Sequence, residues 1–323
     1  MGKTQFDAVV IGRNEGDRLA RVLERATTHA RRVIYVDSGS HDDSVAQARA
    51  AGANVVELDP ARPFTAARAR NEGFAALGPD RAEFVHFIDG DSIIDVDWLQ
   101  SGNVFLQQNP NAALVHGYNV EEAPDASVYN WLTSQEWQKQ TGPDASGIGT
   151  FLARSAAFAQ VGGFRADMIA AEDDELFFRL RKAGWQTWCV SEAMAAHDVR
   201  LHAFSPWFRR MIRAGHSFAE LGALHEGAAR MSRLRAVVWA GVLPVMGVLG
   251  VWVWWPLGLL VMALYAMSAV RLWRRCMSQG LPSRPAAKAA GLLVIAKFAH
   301  LYGMATYWIG RFRRSDAKII EYK

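Results

Sequence analysis

Cysteine is scarce: only Cys189 and Cys276 occur in 323 residues, far apart in the chain. No disulfide framework and no paired-cysteine zinc spacing can be read from them, so a reducing compartment is the expected setting. Charge is missing altogether from Ala236 to Val270. A run of roughly 35 uncharged, mostly apolar residues is too long for a core helix and long enough for one tilted membrane span or a tight hairpin of two. A leader is also missing. The strand-like run Asp7 to Ile11 follows the start almost at once, with no basic-then-apolar segment, which predicts that the front of the chain is not exported. Phe6 stands where myristoylation after Met1-Gly2 would want Ser or Thr.

The net charge is +4. The basic residues gather around the apolar part as Arg230, Arg233, Arg235, Arg271, Arg274, Arg275, Arg311, Arg313 and Arg314. Such flanks fit anionic lipid headgroups and cytoplasmic retention rather than a nucleic-acid groove, so no nucleic-acid partner is expected. Composition thus divides the chain into a front domain, residues 1–230, and a membrane domain, residues 231–323.

In the front domain, strand-length apolar runs (Asp7–Ile11, Arg32–Val36, Asn54–Leu58, Glu83–Ile88, Ala113–His116) alternate with segments of helical spacing. Leu19, Val22, Leu23 and Ala26 make one such helical face. Repeated strand, helix, strand predicts an α/β fold with a mostly parallel, Rossmann-like sheet, whose ligands sit beyond the carboxyl ends of the strands. Three polar clusters fall at those ends: Gly12-Arg13-Asn14-Glu15, Asp37-Ser38-Gly39-Ser40-His41-Asp42-Asp43-Ser44, and Asp89-Gly90-Asp91. Asn14, Asp17, Ser40 and Asp42 also suit helix caps, and a free helix start is itself an anion site.

Asp89-Gly90-Asp91 is the most pointed of these. Residues i and i+2 of an extended segment share a face, so both carboxylates can meet one hard cation, Mg²⁺ or Mn²⁺, while Gly90 permits close backbone approach. Alone, the pair also fits a solvated turn.

Five elements in order resemble the family 2 glycosyltransferases of the GT-A fold, over about Ala8 to His216. They are Val9-Val10-Ile11-Gly12-Arg13-Asn14-Glu15, where a proline is more usual at Gly12; Val36 to Ser44; Asn71 within Ala67-Arg68-Ala69-Arg70-Asn71-Glu72-Gly73; Asp89-Gly90-Asp91; and Gly162-Gly163-Phe164 with Glu172-Asp173-Asp174-Glu175-Leu176, preceded by Gly147-Ile148-Gly149-Thr150-Phe151-Leu152. The resemblance implies a nucleotide-sugar site from Gly12, Asn14, Glu15, Asp37, Ser38, Gly39, Asn71, Asp89, Gly90 and Glu172. In it Asp37 and Glu15 would hold the base and ribose, and Asp91, with Asp89, would hold a divalent ion that neutralises the leaving diphosphate. An acceptor hydroxyl needs a general base. The resemblance makes Asp173 that base, where spacing alone favours an acidic first helical turn; mutual repulsion in Glu172 to Glu175 should raise carboxylate pKa values there. By the resemblance His197 matches the place of a third metal ligand, where a lone His also fits a structural role. Arg209 and Arg210, with Arg213, could reach the diphosphate, or could anchor an amphipathic helix carrying Trp207, Phe208 and Ile212 at a membrane surface. The Gln-x-x-Arg-Trp signature of processive synthases is absent, which favours transfer of a single sugar.

In the uncharged run, Trp252, Trp254, Trp255 and Pro256 lie near the middle, where a straight span would not want them. A hairpin over about 234–273, turning at Trp254-Trp255-Pro256, explains them and leaves basic residues at both ends. A further apolar helix over about 287–310 carries Lys297 and His300 near its centre. It is either interfacial, the expected form, or a third span.

The reading is a metal-dependent inverting glycosyltransferase at the cytoplasmic face of the inner or plasma membrane, moving one sugar from a nucleotide-diphosphate sugar to a lipid-linked or other glycan acceptor among membrane lipids. The rivals are a nucleotidyltransferase of related fold, which would want a glycine-rich basic loop after the first strand, and an inactive membrane-bound nucleotide-sugar-binding scaffold, against which intact Asp37, Asp91 and Asp173 argue.

Overall fold

The computed structural model describes residues 6–144 and 146–313. Met1, Gly2 and Arg314, named above, lie outside them. The chain forms two compact units, one from residues up to Ala123 together with Thr133–Val199, the other from Pro124–Leu132 together with the chain from Arg200 onward. The compositional boundary near residue 230 falls inside the second unit.

The first unit is built on one mixed sheet of nine strands: β1 (Phe6–Gly12), β2 (Val33–Asp37), β3 (Asn54–Glu57), β4 (Phe84–Asp89), β5 (Ser92–Ile94), β6 (Ala112–Glu121), β7 (Gly142–Pro143), β8 (Phe151–Arg154) and β9 (Gln186–His197). Their spatial order is β3-β2-β1-β4-β8-β6-β9-β5, with β7 on β9. Strands β3, β2, β1 and β4 pair in parallel, as do β6 and β9, whereas β8 runs antiparallel to both β4 and β6. The sequence shows β1, β2 and β4 because they are buried on both faces as continuous apolar runs, and β3, half exposed at the sheet edge, through Val55 and Val56. It does not show β5 and β7, which hold their places through single pairings to β9.

Helices α1 (Asp17–His29), α2 (Ser44–Ala50), α3 (Ala66–Ala76), α4 (Val96–Gln108), α5 (Val128–Trp137), α6 (Ser155–Gln160) and α7 (Glu172–Lys182) follow in chain order. The face of α1 is that read from the sequence: Leu19, Val22, Leu23 and Ala26 are buried. Helix α3 lies so close to the sheet that a Cβ at Gly73 would stand 2.4 Å from Val9 Cγ1 and 2.9 Å from Val36 Cγ2. A hydrogen there is what lets the helix reach the strands.

The register does most to position the site. Gly12 stands opposite Asp37, and Ile11 opposite Asp89. Three strands therefore end level at the point where the order turns from β2 on one side of β1 to β4 on the other, a place where such sheets bind ligands.

The second unit consists of helices α8 (Phe204–Leu224), α9 (Arg230–Val237), α10 (Leu243–Val253), α11 (Trp255–Ser278) and α12 (Ser283–Phe312), with residues 124–132. A π-helical turn, Val238–Val242, joins α9 to α10. Helices α10 and α11 form a hairpin broken at Trp254, whose φ and ψ of −158° and 89° are not helical. Small residues allow it: a Cβ on Gly250 would meet Leu257 Cβ at 2.9 Å, and one on Gly258 would meet Val251 Cγ2 at the same distance. Residues 230–253, 255–278 and 283–312 are each long and apolar enough to cross a membrane.

Candidate active site

Gly90 sets the geometry of the Asp89-Gly90-Asp91 turn. Its amide donates to Ile11 O at 2.7 Å, and a Cβ on it would lie 2.9 Å from that same oxygen. The turn is thereby pressed onto the end of β1, and the carboxylates on either side of it diverge. Asp91 is buried and turns to His197 at the end of β9, whose Nε2 is 3.1 Å from Asp91 Oδ1. Arg18 of α1 lies 3.8 Å from the other oxygen and bonds Glu15 at 2.8 Å. Asp89 turns away, to Arg70 of α3, at 2.6 Å. Of the three metal ligands expected from the sequence, the structure brings Asp91 and His197 together and engages Asp89 elsewhere.

Arg70 is the residue that motif reading missed. Its guanidinium is buried and joins Asp89 at 2.6 Å to Glu172 at 2.7 Å. Burial opposes its charge, but Asp89, Glu172 and Asp173 more than compensate and raise its pKa. Its position next to Asn71 in the third element was the available signal.

The acidic cluster opens α7. Ala171, just before it, is a non-glycine residue in the left-handed region (φ 57°) and offers no side-chain cap. Glu172 is held by Arg70, and Glu175 by Arg179 one turn on at 2.6 Å. Among the described residues, no cation is ion-paired with Asp173 or Asp174 as Arg70 and Arg179 are with their neighbours. Burial pushes the Asp173 carboxyl up, the negative charges of Asp174 and Glu172 push it further, and Arg70 only partly offsets them. Asp174 is raised by burial as well, against the Gly147 amide that donates to its Oδ1 at 2.6 Å.

The loop Gly147-Ile148-Gly149 is threaded between these charges. A Cβ on Gly147 would stand 2.3 Å from Asp174 N, and one on Gly149 would stand 2.6 Å from Asp89 Oδ2 and 2.8 Å from Arg70 Nη2. Both glycines are there for close approach.

Several expected nucleotide-site residues are committed to the scaffold. Asp37 is buried: its Oδ2 accepts from the amides of Gly39 (2.9 Å) and Ser40 (2.8 Å), its Oδ1 from Ser40 Oγ (2.6 Å) and Tyr35 Oη (3.1 Å). It shapes the loop holding Ser38 and Gly39. Asn14 ties that loop to the first: its amide donates to Ser40 Oγ at 3.0 Å, and its Oδ1 accepts from His41 N at 2.8 Å. Asn71 braces α3 to the Gly162-Gly163-Phe164 turn, donating to Phe164 O (2.8 Å) and accepting from Phe164 N (2.9 Å). Gly12 lies beside Glu15, whose Cγ would be 3.1 Å from a Cβ there. Arg209 and Arg210 are on α8 in the second unit.

Comparison with known proteins agrees with this geometry. The glycosyl transferase family 2 profile matches residues 7–161. A pre-mycofactocin glycosyltransferase of Mycobacterium tuberculosis is 29% identical over 242 residues, 69% of this chain and 49% of that protein. The chain thus spans about half the length of this curated relative. An O-antigen chain rhamnosyltransferase, WbaN, of Salmonella anatum is 25% identical over 58% of this chain and 68% of its own. Among solved structures, the mannosyltransferase PcManGT of Pyrobaculum calidifontis, in complex with GDP-Man and Mn²⁺, has a TM-score of 0.61 at 15% identity, covering 95% of this chain and 88% of that one. Glucosyl-3-phosphoglycerate synthase of M. tuberculosis with Mn²⁺ and UDP-glucose has a TM-score of 0.50 at 19% identity, over 68% and 78% of the two chains. The polar strand ends in register, the acidic helix start facing them through Arg70, and these likenesses converge: residues 7–161 are similar to the family 2 glycosyl transferases, and the sheet unit has a GT-A fold like that of the solved glycosyltransferases.

Proposed function

We propose that this glycosyltransferase moves a single sugar, with inversion, from a nucleotide-diphosphate sugar to a lipid-linked acceptor at the cytoplasmic face of a membrane, and that it requires a divalent ion. The observation that carries the reading is the pairing of Asp91 with His197 at 3.1 Å, on the strand edge where Gly12, Asp37 and Asp89 end level. The donor set fits the ion: a carboxylate and an imidazole suit Mn²⁺, or Mg²⁺ through the carboxylate, and His197 Nδ1 is buried with no hydrogen-bond partner. Asp91 and His197 would hold the ion, which when bound neutralises charge on the leaving diphosphate. That PcManGT binds GDP-Man with Mn²⁺ supports the same donor class here.

Arg70 holds Asp89 at 2.6 Å and Glu172 at 2.7 Å in ion pairs, so both carboxylates are engaged away from the acceptor. Asp173, ion-paired with no cation among the described residues and with a raised pKa, takes the proton from the acceptor hydroxyl as the new glycosidic bond forms, a contribution of about 10² to 10⁴ in rate. Glu15 and the Asp37 loop receive the nucleoside, the loop being held in place by Asp37, which accepts from the amides of Gly39 and Ser40, and by the Ser38 amide, which donates to Gly12 O.

The apolar helices support the membrane setting. Only 11% of the apolar window of residues 230–253 and of 255–278 is buried, against 44% in 283–312. Helix α12 lies along α8 so closely that a Cβ on Gly215 would stand 2.2 Å from His300 O and one on Gly303 2.0 Å from Ile212 O. A helix covered by protein on one face suits an interfacial place, leaving the α10–α11 hairpin to cross. The test is release of nucleoside diphosphate from a panel of nucleotide-sugars by the full chain in detergent, with Mn²⁺ or Mg²⁺ and mixed membrane lipids. Metal-dependent turnover of one donor, abolished in Asp91→Ala, is expected. Donor binding indifferent to both metal and Asp91→Ala would overturn the reading.

A further inference from the structure

A second group of potential ligands lies away from Asp91. His116 of β6 stands in register with Cys189 of β9, and β7 sets Gly142 opposite that same cysteine, which delivers Asp144 two residues later. One donor atom from each of His116, Asp144 and Cys189 lies within 4.8 Å of the others. His116 and Cys189 are completely buried.

The imidazole reveals what the cluster lacks. His116 Nδ1 is 2.8 Å from Gly117 O, and a carbonyl can only accept, so Nδ1 carries the proton. In the neutral ring Nε2 then presents a lone pair. It faces Asp144 Oδ2 at 3.2 Å, yet neither atom has a hydrogen-bond partner of acceptable geometry. Two lone pairs aimed at each other repel unless a proton on Nε2 or a metal ion lies between them. Donors on a tetrahedral ion with bonds of about 2.0–2.3 Å are separated by about 3.3–3.7 Å, close to the His116–Asp144 spacing. The third donor, sulfur, sets the preference: thiolate, imidazole and carboxylate together suit a borderline-soft ion rather than Mg²⁺.

We propose that His116, Asp144 and Cys189 form a second metal site, for Zn²⁺, distinct from the divalent ion of the transfer reaction. On binding, the Cys189 thiol gives its proton to solvent, and the thiolate and the Asp144 carboxylate balance the two charges of the ion. The partly exposed Asp144 leaves the fourth position to water. Lys139, whose Nζ is 3.8 Å from Asp144 Oδ2, is the competing cation. The site would fasten the segment leading to Gly147, whose amide is bonded to Asp174 at the catalytic cluster.

The test uses the full chain in detergent, stripped with a chelator and titrated with Co²⁺ as a spectroscopic stand-in for Zn²⁺, then with Zn²⁺ in competition. A sulfur-to-cobalt charge-transfer band saturating at one ion per chain and displaced by Zn²⁺ is expected in the wild type and equally in Asp91→Asn. Cys189→Ser should lose the band, and His116→Gln should bind at least tenfold more weakly. Near-UV circular dichroism of each variant establishes that it is folded. Folded wild-type protein without the band, or a band that survives in Cys189→Ser, would overturn the proposal and leave His116 and Asp144 as an imidazolium–carboxylate pair. The outcome is read without glycosyl transfer, so it stands or falls separately from the proposed reaction.

Discussion

Replacing the proposed base should make the protein inactive and more stable at once. Asp173 sits at the start of α7 with its pKa raised by burial and by the charges of Asp174 and Glu172, the Arg70 guanidinium only partly offsetting them. An unfolded aspartate ionises near pH 4. Because the native pKa is higher, the unfolded state releases its proton first as pH rises, so native stability falls from about pH 4 up to the native pKa and is flat beyond it. The loss is about 1.4 kcal/mol for each unit by which the native pKa is raised. Asp173→Asn keeps the shape and cannot ionise. The variant and the wild type should therefore match at about pH 4 and separate as pH rises, the variant being the more stable by at least about 1.4 kcal/mol at pH 8. Amide hydrogen exchange of β1 and β4, followed by mass spectrometry, reads the opening of this unit alone. In the same preparations, nucleoside diphosphate release should vanish in the variant, and the acid limb of kcat/KM in the wild type should lie above the ordinary carboxylate range. A variant less stable at pH 8, or a difference that does not change with pH, would refute the electrostatic argument and remove the reason for choosing Asp173.

Arg70→Met should do the opposite. Its partner Glu172 has only 11% of its side chain exposed and would be left charged and unpaired, a loss of about 3–5 kcal/mol, measured by the same exchange experiment; Asp89, 34% exposed, contributes little to that figure. Ala171→Gly should stabilise the unit by about 0.5–1 kcal/mol, because glycine accepts the φ of 57° without strain and repays only part of that gain in unfolded-state entropy; thermal unfolding would show it. Gly90→Ala should reduce donor affinity measured by calorimetry, since its Cβ would meet Ile11 O at 2.9 Å and must push the Asp89–Asp91 turn off β1.

The sequence alone determined the strand ends. Continuous apolar runs closed by Gly12, Asp37 and Asp89 leave polar groups nowhere to go but the sheet edge, so the first half of the sheet and its functional edge could be read from one dimension. It also determined the apolar hairpin, because uncharged length and a Trp-Trp-Pro interruption are local properties. Motif order pointed to the acidic start of α7. What it could not determine was how side chains at the edge are shared. Asp37, Asn14 and Asn71 carry the residue types of ligand contacts, yet they spend their hydrogen bonds on the loops that frame the site. Asp89 pairs with Arg70 while Asp91 faces His197, because Gly90 presses the turn onto β1 and sends the carboxylates apart. Only the pairing of β6 with β9 and of β9 with β7 brings Cys189, which has no ligand spacing in the sequence, beside His116 and Asp144. Strand patterns are written in neighbouring residues, whereas the partner of a carboxylate or a thiol is fixed by register between strands distant along the chain.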